Sequence, residues 1–594
     1  MRRSKTRSAM WGRWVLTMCA LLLTASLAFA GRTKIAPDLQ SAQPGSQVNV
    51  IVQFTKPVGP AMHEKVFRRG GKLRRELRLI RSGAYQMSAS ELSDLAMDPD
   101  VRYISPDRPV RSLGTGAIVP AIDYHNETMN TPWAWAQGLN GNGIGVAIID
   151  SGIASVPDLT SGNVVYSQDF VGDNNGSADD LYGHGTHVAG IVAGNGVSST
   201  GPGYTYTFQG IAAGVNLIDL RVLDSTGAGS DSEVINAIQT AIQLQSTYNI
   251  RVINLSLGRG VYESYTLDPL CQAVEQAWQA GIVVVVSAGN EGRNDTAGTN
   301  GYGTITAPGN DPYVITVGAM NTLDSPDRTN VIPASYSSKG PSLFDQVVKP
   351  DLVAPGNLIV SLYTPAETLN QETPGNEVPD SVYEADGAPA PSPSYFVLSG
   401  TSMAAPMVSG TAALMLQQNP TLTPDQVKAI LMLTAFKGLQ QYSIAVDPIS
   451  GQTFNEQADI FTVGAGYVDA EAALQNTVVP PAAFGSAMSP FATIDSSGDV
   501  ALVNGTPVSG ATVIWGGSTA FANTVIWGGS LSGSDDAGET VIWGGSSVVS
   551  DTVIWGGSTD NADTVIWGGS TAQGATVIWG GSTTAAEAVI HGDN

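Results

Sequence analysis

Three segments of this 594-residue chain carry side chains that together could hydrolyse an acyl bond. Asp150 ends the run Gly143-Ile144-Gly145-Val146-Ala147-Ile148-Ile149-Asp150-Ser151-Gly152. His184 lies in Gly183-His184-Gly185-Thr186-His187-Val188-Ala189-Gly190, and Ser402 in Leu398-Ser399-Gly400-Thr401-Ser402-Met403-Ala404-Ala405-Pro406. A serine hydroxyl is a weak nucleophile at neutral pH, so it needs a base within hydrogen-bond reach and a third group to orient that base. A neutral imidazole can take the hydroxyl proton and return it to the leaving amine, while a carboxylate on the far ring nitrogen fixes the tautomer and stabilises the imidazolium. The chain order Asp, His, Ser is one of the orders in which this triad occurs. Singly, each residue has a plainer reading as a strand-end cap, a core histidine and a helix N-cap. His187, one helical turn from His184, is a rival for the base.

The elements that must position these groups are legible as apolar runs. Val146–Ile149, Val252–Leu255, Ile282–Val286 and Val314–Val317 read as buried strands, and helical stretches alternate with them. That alternation predicts an α/β fold, a doubly wound and mainly parallel sheet with helices on both faces. Asp150 then falls at the carboxyl end of a strand, where open α/β sheets place their sites. His184 and Ser402 each open a helix. The Pro-, Glu- and Asp-rich stretch Thr364 to Ser394 is expected to be an exposed insertion.

The three motifs in this order resemble those of the subtilisin-like serine peptidases (subtilases), and the Gly-Thr-Ser-Met-Ala context of Ser402 is highly specific. The resemblance implies a serine endopeptidase in which Asp150 orients, His184 is general base and acid, and Ser402 is the nucleophile. Val283-Val284-Val285-Val286-Ser287-Ala288-Gly289-Asn290 is a fourth match, and it implies that Asn290, with the Ser402 backbone N–H, stabilises the oxyanion. By the same resemblance Ser256, Leu257 and Gly258 belong to an edge strand that binds substrate backbone on one side of the specificity pocket, Ser287, Ala288 and Gly289 form the other side, and the peptide adds as a strand between them. Arg259 stands where the family often has a small residue, which leaves open a bias toward acidic substrates or a solvated surface cation. The chemistry requires no cofactor. Structural calcium is an option that the family brings with it: Asp158 matches a ligand position, although the loop 194–209 lacks the usual ligand pattern.

Charge divides the chain. Residues 1–113 hold 19 of the 28 Lys and Arg but 8 of the 52 Asp and Glu, and no Lys or Arg follows Lys437. A formal net charge of −24 argues against nucleic acid as a partner. Arg2, Arg3, Lys5, Arg7 and Arg13 precede an apolar stretch from Val15 to Leu27 and the small-x-small site Ala28-Phe29-Ala30, the pattern of a secretory signal peptide over residues 1–30. Secretion is therefore expected. It would remove Cys19 and leave Cys271 alone, a buried small residue on a helix. Residues 31–115 read as a small α/β sandwich of order βαβαβ: a strand Val48–Phe54, a helix from Met62 to Arg81, a strand Ala84–Met87, a helix opened by Ser88 to Glu91, and a strand Val101–Ser105. This unit resembles the inhibitor-like propeptides of subtilases. Opposite charge would attract it to the peptidase domain over residues 116–480, and self-cleavage is expected between about Pro109 and Pro120.

From residue 481 the chain becomes a β-rich tail. Thr-Val-Ile-Trp-Gly-Gly-Ser occurs six times, with tryptophans at 515, 527, 543, 555, 567 and 579, and a worn copy ends the chain at His591. A unit this short cannot bury its own face, so a stacked β array is expected, with His591 in a capping repeat. Cell-surface attachment, binding to a glycan or protein polymer, and a fold-stabilising extension are all open to it. Secreted endopeptidase is the reading of the whole; the alternative is a surface scaffold built on the repeats.

Overall fold

The structure is a computed structural model. It describes residues 34–113, 115–116, 123–159, 162–296, 299–365, 367–447 and 450–494, and beyond these the backbone of short strands between 500 and 591. The signal-peptide segment with Cys19, the 117–120 end of the expected cleavage window, and Trp515 lie outside the described residues.

Two compact units are present. One comprises residues up to 76 together with 81–106; the other comprises 77–80 and everything from Asp107 onward. In the first, β1 (Gln47–Phe54), α1 (Pro60–Phe67), β2 (Lys72–Leu77), β3 (Ser82–Ser88), α2 (Leu92–Ala96) and β4 (Val101–Pro106) build a four-stranded sheet of order β2-β3-β1-β4. β1 is antiparallel to both β3 and β4. The helix expected from Met62 to Arg81 stops at Phe67. Gly70 adopts φ +74°, and a Cβ on Gly71 would stand 2.4 Å from Val66 Cγ1, so the chain turns there and Lys72–Leu77 becomes a strand. The order is accordingly βαββαβ.

The second unit is organised on an eight-stranded sheet. β7 (Gly145–Asp150), β8 (Val164–Asp169), β9 (Asn216–Arg221), β11 (Ile250–Leu255), β13 (Val283–Ser287) and β14 (Ile315–Asn321) run parallel in the order β14-β13-β11-β7-β9-β8. β16 (Leu352–Pro355) adds in parallel to β14, and β15 (Ile332–Pro333) adds antiparallel. Every residue of β7 and of β13 is buried, as unbroken apolar strands require when both faces of a parallel sheet are covered. α3 (His184–Ala193) packs beside α6 (Thr401–Gln418), which lies across β11, β13, β14 and β16. α4 (Asp231–Tyr248) and α5 (Pro269–Gln279) form a second pair over β7, β11 and β13. α4 is opened by a capping box of Ser230 and Glu233, and α5 by Asp268, whose carboxylate accepts from the Leu270 and Cys271 amides.

The segment Thr364–Ser394 is more than an exposed insertion. It contains a helix, Thr368–Glu372, and a strand β18 (Glu377–Pro379) that pairs with β19 (Pro391–Ser399). Leu369, Val378 and Tyr383 are buried in it, so apolar residues within the polar stretch anchor it. In the tail, the strands Thr512–Ile514, Thr524–Trp527, Glu539–Trp543, Asp551–Trp555, Thr564–Trp567, Thr576–Trp579 and Ala588–His591 pair in parallel, with Trp543 opposite Trp555 and Trp579 opposite His591. Short strands such as Ser558–Thr559 form a second parallel sheet.

Candidate active site

β7 delivers Asp150 at its carboxyl end, and the next residues turn toward α3. Gly183 precedes that helix at φ +110°, and a Cβ on Gly185 would stand 2.2 Å from the Gly152 carbonyl oxygen. Glycine at these places lets the helix start close enough for His184 to meet the strand end. His184 Nδ1 lies 2.7 Å from Asp150 Oδ1, which also accepts the Ser151 amide at 2.8 Å. The Gly185 amide donates to Ser151 Oγ at 2.8 Å and ties the two segments together. His184 Nε2 is buried and has no hydrogen-bond partner.

His187 points elsewhere. Its Nε2 is 3.1 Å from the Phe396 carbonyl, and burial pushes its pKa down to about 3, so this ring is neutral and structural. Of the two histidines, geometry brings only His184 to Asp150.

Ser402 sits in the first turn of α6, fully buried. Its hydroxyl donates to the Ser256 carbonyl at 2.8 Å, and Ser256 Oγ donates back to the Ser402 carbonyl at 2.8 Å. The Ser402 hydroxyl is thus bonded to Ser256 while His184 Nε2 stays unpartnered. Asn254 extends this brace: its Nδ2 donates to Ser256 Oγ and its Oδ1 accepts from Ser409 Oγ.

The amide of Asn290 is oriented by its neighbour on the serine segment. Thr401 donates to Asn290 Oδ1 through its backbone N–H and through Oγ1, both at 3.0 Å. Those two donors assign the amide unambiguously and turn Nδ2 outward, where it donates to the Leu113 carbonyl at 2.5 Å. The sequence assigns no role to Thr401 or Asn254, although both lie within segments it singles out.

The chain's own residues 109–112 and 115–116 pair with strands of this site. β5 (Pro109–Ser112) is inserted between β10 (Ala228–Ser230) and β12 (Leu257–Gly258), antiparallel to both. Leu257 faces Ser112 and Gly258 faces Arg111. β6 (Thr115–Gly116) then pairs antiparallel with the end of β19, at Leu398 and Ser399. Leu257 and Gly258 thus pair with the chain's own segment, while Ser256 holds Ser402. The second flanking strand is Ala228–Ser230, not Ser287–Gly289. Ser287 closes β13 below the site, Ala288 is tied to Thr306, and the Gly289 amide donates to Thr401 Oγ1. They brace the Asn290 corner, since β13 lies within the main sheet and offers no free edge. The small run Gly227-Ala228-Gly229-Ser230 ahead of the capping box was the available signal for that edge.

Gly258 leaves room for the residue at the turning point: a Cβ there would lie 3.2 Å from Leu113 Cδ1 and 2.8 Å from Thr306 Oγ1. Val110 is fully buried, Ser112 is half-buried and Arg111 is exposed. Side chains therefore alternate inward and outward as on any added strand.

Arg259 fits neither sequence alternative. It is buried and paired with Asp231 at 2.8 Å and with Asp268 at 2.8 Å. Burial alone would lower its pKa, and the two carboxylates more than reverse this, holding the guanidinium above its ordinary value. Asp158 is equally occupied: its oxygens accept from Ser198 N–H and O–H and from the Tyr395 hydroxyl. A cation needs lone pairs around it and these neighbours present hydrogens, so the donor set does not suit calcium there. Among the described residues no group of three or more His, Cys, Asp or Glu could hold a metal ion.

Glu367 is buried near Gly183, with Oε1 unpartnered. Burial, reinforced by the nearby Asp180 charge, pushes its pKa up to about 9 from the ordinary 4.5. The unfolded chain therefore releases this proton first, so its contribution to stability is full below about pH 4.5 and is lost as pH rises toward 9. Glu367→Gln, measured by thermal unfolding at pH 5 and pH 9, is expected to raise Tm at pH 9 far more than at pH 5.

Residues 141–466 match the family profile Peptidase_S8, described as the subtilase family. The chain is 35% identical over 403 residues to the serine protease AprX of Bacillus subtilis (strain 168), covering 65% of this chain and 82% of that one. It is 32% identical over 427 residues to subtilisin E of the same organism, covering 71% and 93%. Among solved structures, fervidolysin from Fervidobacterium pennivorans, a keratinolytic enzyme related to subtilisin, matches with TM-score 0.55 at 22% identity. That match covers 78% of this chain, which spans 66% of fervidolysin's length; at this identity it speaks for the fold.

Proposed function

Because the chain belongs to the subtilase family of serine endopeptidases, we propose that Ser402, His184 and Asp150 cleave peptide bonds through an acyl-enzyme, and that the chain cuts itself between Leu113 and Gly114. In this reading His184 takes the Ser402 proton as Oγ attacks the carbonyl carbon, while Asp150 holds the ring and faces the imidazolium that forms. Asn290 Nδ2 donates to the oxyanion, joined by the Ser402 amide; both dipoles are fixed before the charge develops, so no reorganisation is needed. The proton then passes from His184 to the leaving amine, and water repeats the sequence to release the acid.

The single observation that carries the reading is the Leu113 carbonyl on Asn290, with the chain on either side added to strands as a substrate would be. An apolar residue before the cut and a second one at the place of Val110 are the preferences it implies. The front unit then acts as an intramolecular inhibitor and the N-terminal segment directs secretion; no helix among the described residues is long and apolar enough to cross a membrane. The tail is a stacked β array that is dispensable for the chemistry and contacts a surface or polymer.

N-terminal sequencing of the expressed protein, treated with a serine-directed phosphonate, tests this. A new terminus at Gly114 and label on Ser402 are expected; an uncut, unlabelled chain would overturn the reading. Asn290→Ala should lower kcat by about 10²–10³-fold, the size known for the equivalent subtilisin residue, with a smaller change in KM. Steady-state kinetics on a peptide amide would show it.

A further inference from the structure

We propose that Glu263 and Tyr262 form a subsite for an arginine side chain at the sixth residue counting back from the cleaved bond, so that the enzyme selects polypeptides carrying Arg there. The inference rests on the reading of Leu113 as the residue before the cut. Arg108 occupies that sixth place in the chain's own segment. Its Nη1 donates to Glu263 Oε1 at 2.7 Å and its Nη2 to Glu263 Oε2 at 2.9 Å. Both side chains are only 3% exposed, and the guanidinium carbon stands 5.0 Å from the centre of the Tyr262 ring.

A planar fork on both oxygens of one carboxylate, with an aromatic face against it, suits a guanidinium. An ammonium offers a point charge and cannot bridge the two oxygens in the same plane. The neighbouring basic residue of the segment shows the contrast. Arg111 lies closer to the cut, yet its side chain is exposed.

The subsite is held from behind. The loop between β12 and α5 carries Tyr262 and Glu263, and Arg259 fastens its start to Asp231 and its end to Asp268. Beyond Glu263, Ser264 Oγ donates to Asp345 Oδ1 at 2.6 Å and the Tyr265 amide donates to Asp345 Oδ2 at 2.9 Å. None of these fastenings involves Arg108, so the carboxylate stays in place for another polypeptide when the segment leaves. An extended chain covers about 16 Å between this point and the cut, which puts the contact in substrate binding and outside the chemical step.

The test uses the full chain after its own maturation and peptides of sequence Asp-X-Pro-Val-Arg-Ser-Leu-Gly-Thr, with X as Arg, Lys, Ala or Glu. The Arg peptide is expected to exceed the Ala peptide by at least about tenfold in kcat/KM, carried by KM, with Glu poorest. In Glu263→Arg the Glu peptide should overtake the Arg peptide, and in the milder Glu263→Gln the Arg advantage should collapse. Equal kcat/KM for all four peptides in the unaltered enzyme would overturn the inference while leaving the cut at Leu-Gly intact. Cleavage elsewhere, or none, would instead overturn the assignment of Leu113 and this subsite with it.

Discussion

Ser402→Ala is expected to lower kcat by about 10⁶-fold, the scale known for loss of the nucleophile in subtilisin, and to leave the chain uncut at Leu113–Gly114. The structure explains why the loss should be this complete. His184 has one ring nitrogen on Asp150 and the other unpartnered, so among the described residues no other hydroxyl is hydrogen-bonded to it. Ser256 Oγ is committed to the Ser402 carbonyl. Asn290 and its Thr401 brace are untouched by the change, so residual turnover above the uncatalysed rate should persist. Single-turnover kinetics with a peptide amide, beside intact-mass measurement, would check both parts. Retained activity would mean that the chemistry lies on another residue.

Arg259→Leu is expected to cost about 3–5 kcal/mol of folding stability, because it leaves Asp231 and Asp268 buried without their cation. Both carboxylates are fully buried in the folded chain. Urea unfolding in the Ser402→Ala background would measure the loss without self-digestion. Converting Asp231 and Asp268 to Asn in the same chain should return part of it, since uncharged amides no longer need the guanidinium. A loss below about 1 kcal/mol, the range of exposed ion pairs, would show that water reaches the cluster. The same variant loosens the loop that presents Glu263.

The residues proposed for the chemistry stand out in the sequence because each sits in a motif whose glycines and small residues are dictated by local geometry. Gly183 and Gly185 around His184, and the buried apolar run before Asp150, announce a strand end meeting a helix start. The parallel sheet was legible for a related reason: a strand covered on both faces is apolar at every position, as Val283–Val286 is.

Where the reading departed from the structure, the deciding contact was distant in sequence. Gly70 and Gly71 ended a helix that composition favoured, since side-chain charge says little about one φ angle. Ala228–Ser230 has no motif, and its pairing with β5 joins residues more than a hundred positions apart. Arg259 reads as a surface cation until Asp231 and Asp268, 28 and 9 residues away, close around it. The resting hydrogen bond of Ser402 is likewise invisible in sequence, because its partner lies 146 residues away. The sequence by itself determined which groups could do the chemistry and which strands must be buried, because both follow from residue type and short spacing. Only the tertiary structure decided which partners those groups meet and which stretch of the chain lies across them, because burial and charge pairing depend on every element that closes over a site.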